Sequence, residues 1–88
     1  MRLLRRLREA RGQSLRQAAD EMGVAASHLS RVERGEKGAS ERVSEQAARY
    51  YGVSEDLLAL DEGRVPADVV LILQRNPDLL EEIRRNHG

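Results

Sequence analysis

The sequence contains no cysteine, tryptophan or phenylalanine, and its only aromatic residues are Tyr50 and Tyr51. Without cysteine there is no disulfide framework and no thiolate metal site. The two histidines, His28 and His87, lie far apart and offer no metal-ligand spacing, so no metal is expected. So few aromatics cannot make the base-stacking platform of a single-strand binder. They leave Leu, Val, Ile, Ala and Met to build the core, which favours packed helices. No apolar run approaches the ~18 residues of a membrane-spanning helix, so no membrane partner is expected. The basic opening Met1-Arg2-Leu3-Leu4-Arg5-Arg6 leads into no apolar stretch. That argues against a secretory signal peptide and for a cytoplasmic protein. No Gly-rich phosphate loop, nucleophile elbow or paired acid/base constellation is found, so neither an enzymatic site nor a cofactor is expected.

What is present is one domain's worth of chain: 88 residues, 40% hydrophobic and 34% charged. It is too short for a two-domain enzyme with a cleft between the domains. A core this small is marginal, and oligomerisation is a common remedy. The formal net charge is zero but unevenly spread. Residues 1–51 carry eleven Lys or Arg against seven Asp or Glu, and residues 52–88 carry four against eight. A basic half joined to an acidic half suits a polyanion on one surface and something else on another. Chance clustering in a soluble protein gives the same numbers.

Apolar spacing and capping residues predict seven helices and no strand. The first covers the opening eleven residues, with Leu4 and Leu7 on one face and Gly12 just past its end. Ser14-x-x-Gln17 is a capping box for the second, whose stripe is Leu15, Ala18, Ala19 and Met22. Gly23-Val24-Ala25 leads to a third helix built on Leu29 and Val32 and ending near Arg34. After a loop at 35–40, Ser40 caps a fourth helix with Val43, Ala47 and Tyr50 or Tyr51 inward. Ser54 caps a short fifth, with Leu57, Leu58 and Leu60 expected buried. Pro66 is expected at the first position of a sixth helix running to about Arg75. In Asn76-Pro77-Asp78, Asn is expected to cap a seventh that runs to about Arg85.

Two short helices joined by a glycine-containing turn, Ser14 to Gly35, have the sequence shape of a helix-turn-helix. The second must enter a major groove roughly 12 Å wide, so its outer face cannot carry bulky apolar groups. Leu29 and Val32 are placed inward; Ala26, Ser27, Ser30, Arg31 and Arg34 are placed outward. Arg31 is the side chain best matched to the O6/N7 edge of guanine. Without the motif, Arg31 reads as one more solvated arginine, and a lone histidine such as His28 reads as surface filler.

LRRLREARG (4–12), the alanine pair Ala18-Ala19, Gly23-Val24 and, above all, LSRVERGEKG (29–38) with YGVSEDLLAL (51–60) carry a resemblance to a known family. The chain resembles, over about residues 3–60, the lambda-repressor-like (Cro/repressor, XRE) helix-turn-helix family. The resemblance implies an all-α, five-helix DNA-binding domain over 1–61, here followed by a C-terminal helical pair over 64–86. It implies base-reading residues at Ala26, Ser27, His28, Ser30 and Arg31. Backbone contacts would fall on Ser14, Leu15, Arg34 and Lys37, with Arg16 and Arg42 nearby. It also implies a structural ion pair between Arg8 and Glu33. Four positions depart from the family's pattern, the first being Gln13 where an apolar residue is usual. Ala25 lacks a capping hydroxyl, Leu15 stands where a phosphate-gripping Gln is common, and Ala26 could meet only a thymine methyl. Arg31 is left as the leading determinant, with DNA shape contributing.

The C-terminal pair is too apolar for one stripe. Val69 through Leu73 are five consecutive aliphatics, and they cover the whole circumference of a helix. Val69, Val70, Ile72, Leu73, Leu79, Leu80 and Ile83 are therefore expected to form a homodimer interface, or else to fold back and complete the monomer core. The function expected is a dimeric transcriptional regulator, a repressor reading a palindromic operator in double-stranded DNA. The alternative is a protein–protein module whose acidic C-terminal helices bind another protein.

Overall fold

A hydroxyl opens and a glycine closes most helices in the first two thirds of the chain. The computed structural model describes residues 1–88 and is all-helical. Its elements are α1 (Arg2–Ala10), α2 (Leu15–Met22), α3 (Ala26–Glu33), α4 (Glu41–Tyr51), α5 (Glu55–Asp61), α6 (Ala67–Arg75) and α7 (Asp78–His87). Ser14, Ser40 and Ser54 each accept a hydrogen bond from the backbone N–H three residues on, satisfying one of the orphan donors of a helix start. Gly23 (φ 72°) and Gly52 (φ 67°) end α2 and α4 in the left-handed region, which side chains with a Cβ rarely enter.

The core lies among α1 to α5. Leu4, Ala18, Ala19, Met22, Leu29, Val32, Val43, Ala47, Tyr51 and Leu58 are buried, as is Met1. Ala18, Ala19 and Ala47 let the helices approach closely, and Leu4, Leu29, Val32 and Leu58 fill the space between them. Met1 was not anticipated as a core residue. Its side chain joins the cluster, and its ammonium donates to the carbonyl oxygens of Val32 and Glu33 at the end of α3.

Several boundaries and packing expectations need correction. α3 ends at Glu33 and α7 runs on to His87. Pro66 lies just outside α6 with extended backbone (ψ 143°), and Ala67 takes the first helical position. Asn76 does not cap α7. Its Nδ2 donates to Ile72 O at 3.0 Å, closing the end of α6, while Pro77 already has helical dihedrals. Of the three leucines in α5, only Leu58 is buried; Leu57 and Leu60 are 44% and 53% exposed. A seven-residue helix on the rim of a core turns one face inward, and positions 57 and 60 are rotated off that face.

α6 and α7 bury no residue at all. They pack on each other, with Leu73 and Leu79 half-buried, and do not complete the monomer core. The radius of gyration is 15.3 Å and the long axis 45 Å, against 24 and 23 Å across. A compact chain of this length would have a radius of gyration of about 12 Å.

Candidate nucleic-acid interface

The α2–turn–α3 unit is held by local chemistry. In the capping box, Gln17 N donates to Ser14 Oγ (3.1 Å) and Ser14 N donates to Gln17 Oε1 (3.4 Å). At the other end of α2, Val24 N donates to Ala19 O (3.0 Å), and the chain then runs extended through Ala25 into α3. Ala25 contributes no side-chain cap.

α3 has two unlike faces. Leu29, Val32 and Glu33 point into the protein, and Ser27, Arg31 and Arg34 are exposed at i, i+4 and i+7. Ala26 and Ser30 are half-buried beside them. The Arg31 guanidinium makes no hydrogen bond and no ion pair, although Arg5, Arg8 and Arg34 all have carboxylate partners. His28 lies differently from the other residues in this group. It is half-buried, its Nε2 is shielded from solvent without a partner, and it lines a cavity of about 260 Å³ with Val24, Ser40 and Arg42.

The residues assigned to phosphate contact surround this face. Ser14, Arg16, Arg34, Lys37 and Arg42 are exposed and Leu15 is half-buried. Arg42 Nη2 donates to Gly23 O (3.1 Å), which ties α4 to the α2–α3 turn. Arg34 Nε lies 2.8 Å from Glu36 Oε2 and 3.3 Å from Ser30 O.

Behind α3, Arg8 of α1 grips Glu33 by a fork. Arg8 Nε lies 2.9 Å from Glu33 Oε2, Nη2 lies 2.9 Å from Oε1, and Nη1 donates to Gln13 O (3.0 Å). The Glu33 side chain is only 5% exposed. A planar, bidentate pair, with Nη1 also bonded to Gln13, fixes the orientation of α3 on α1. The hydrogen bonds to Glu33 raise the Arg8 guanidinium further above its already high ordinary value, outweighing the opposing effect of burial. Tyr51 packs nearby; burial first, and then the negative charge of Glu33, push its phenol above the usual range.

Two further groupings went unanticipated. Arg11 lies over both tyrosine rings, 4.8 Å from the centroid of Tyr50 and 4.9 Å from that of Tyr51. Gln13 and Tyr50 converge on the carboxylate of Glu21. Separately, Arg5, Arg8, Leu15, Ser30, Glu33 and Arg34 line one recess of about 210 Å³ between α1 and α3. The Arg5–Glu9 spacing of four was a legible sign of an ion pair, but the convergence of Arg5 with Arg34 depends on how α1 crosses α3.

No helix is long and apolar enough to cross a membrane. A family model described as a helix-turn-helix domain matches residues 2–60, ending within α5 and leaving out α6 and α7. No curated protein and no solved structure matches the chain.

Proposed function

The chain belongs to the helix-turn-helix domain family, and on that premise we propose that it is a cytoplasmic, sequence-specific transcriptional regulator that binds double-stranded DNA as a homodimer and represses. The observation that carries the reading is Arg31, exposed and unpaired on the outer face of α3. Small side chains at Ala26, Ser27 and Ser30 leave room for a groove wall, and a free guanidinium presents the donor fork that guanine O6 and N7 accept. Ser14, Leu15, Arg16, Arg34, Lys37 and Arg42 supply backbone contacts around it, so affinity falls steeply with salt. Arg8 and Glu33 serve structure, and no catalytic role is assigned to any residue.

The dimer rests on α6 and α7. Val65, Val69, Val70, Leu71, Ile72, Leu80 and Ile83 are each 39–50% exposed. Aliphatic side chains left this open on one helical pair are the kind of surface that marks an interaction site. A second copy covers it with the same residues, and places two α3 helices at a spacing of about 34–36 Å on one face of the duplex.

Selection of bound sequences from a random duplex pool tests the reading. The expected product is an inverted repeat with half-sites about one helical turn apart. Failure to enrich any sequence overturns it. Light scattering tests the dimer separately: Ile72→Ser with Ile83→Ser leaves a monomer, whereas a wild-type monomer that copurifies with a different chain favours a protein–protein module.

A further inference from the structure

The recess between α1 and α3 brings two exposed guanidiniums to the rim of the candidate DNA face. Arg5 Nε lies 3.0 Å from Glu9 Oε1, and Arg34 Nε lies 2.8 Å from Glu36 Oε2. Neither arginine donates a hydrogen bond from its terminal nitrogens, so each fork keeps its outer donors. The third guanidinium of the recess, Arg8, is already bonded through all three of its nitrogens to Glu33 and Gln13. Leu15 and Ser30, at the start of α2 and on the inner edge of the α3 face, complete the lining.

We propose that this recess seats one backbone phosphate of bound DNA between Arg5 and Arg34, and that Glu9 and Glu36 are resident counter-ions which the phosphate displaces; the proposal rests on the DNA-binding reading above. All four side chains are more than half exposed. Ion pairs in that setting contribute little and exchange readily. A phosphate accepts hydrogen bonds from the same planar fork, and release of condensed counterions from the duplex drives the exchange. The displaced carboxylates then face the polyanion. That repulsion weakens binding to every sequence alike, so a tight complex depends on the base contact of Arg31, which has no carboxylate to displace. Glu9 and Glu36 thereby hold down binding to bulk DNA.

The test is an anisotropy titration across a salt series with two probes about two helical turns long: a random-sequence duplex and the duplex enriched by selection. Arg5→Ala and Arg34→Ala are expected to weaken both probes by the same factor, and each lowers the log–log salt slope by about 1. Glu9→Gln and Glu36→Gln are expected to tighten both several-fold. Melting midpoints stay at the wild-type value because all four sites are exposed. Affinity and slope unchanged in the two arginine variants, with Arg31→Ala still weakening the selected duplex, overturns the recess and leaves the DNA reading standing. A changed sequence preference in Arg5→Ala or Arg34→Ala, with random-duplex affinity intact, also overturns it. Wild-type protein that binds neither duplex overturns both.

Discussion

Residues 1–61 and residues 64–88 are both helical and both rich in aliphatics, yet they use them in opposite ways. In α2 the short side chains of Ala18 and Ala19 are completely buried, and in α6 the large side chains of Leu71 and Ile72 are each 49% exposed. α2 packs on both α3 and α4, whereas α6 packs mainly on α7. Burial thus follows the number of partners an element meets rather than its own hydrophobicity. The first region is a closed scaffold that fixes α3; the second is an open surface that a partner would complete.

Truncating one large side chain in each region breaks or sustains that contrast. Leu29→Ala, at 0% exposure, is expected to cost about 2–5 kcal/mol in urea unfolding. Ile72→Ala is expected to leave the unfolding of the dilute monomer near the wild-type value. Equal losses in both would erase the distinction. Next in size, Glu33→Gln strands the Arg8 guanidinium and is expected to cost about 3 kcal/mol. Adding Arg8→Met to that variant recovers part of the loss, and a loss unaltered by the second change would deny the coupling.

His28→Leu removes the shielded, partnerless Nε2 and is expected to raise stability by about 1 kcal/mol with sequence preference unchanged. A shift in the preferred base pair would instead make His28 a reader. Tyr51→Phe has the smallest effect, close to zero at neutral pH. Because the folded protein holds the Tyr51 phenol above its ordinary value near 10, the neutral phenol favours folding below that pH. That contribution is lost as pH rises through the higher folded value. The variant is therefore expected to unfold less readily than wild type above pH ~10. Coincident alkaline unfolding curves would contradict the assignment.

Much of the scaffold was legible in the sequence because capping is local chemistry. Ser14, Ser40, Ser54, Gly23 and Gly52 act within a few residues of themselves, and each takes the role its spacing predicted. The failures involve longer range. Leu57 and Leu60 read as core, but only the packing of α5 decides which of its leucines faces inward. Asn76 could serve either of two helix ends, and it donates to the one behind it. Met1 enters the core because α1 directs its own start toward the end of α3. At the candidate site, the outward spacing of Ser27, Arg31 and Arg34 was legible from helical periodicity. The withdrawal of His28 into a cavity beside α4, and the meeting of Arg5 with Arg34, depend on how helices cross and leave no trace in local spacing.

The central claim is that the Arg31 side chain reads a base. Binding of the wild-type protein and of Arg31→Ala to the selected duplex, and to the same duplex with one base pair per half-site replaced, tests it most directly. The account predicts that Arg31→Ala weakens the selected duplex by the equivalent of about 1–3 kcal/mol per half-site and no longer distinguishes the two duplexes at one position. An Arg31→Ala protein that keeps the wild-type discrimination at every position would contradict it.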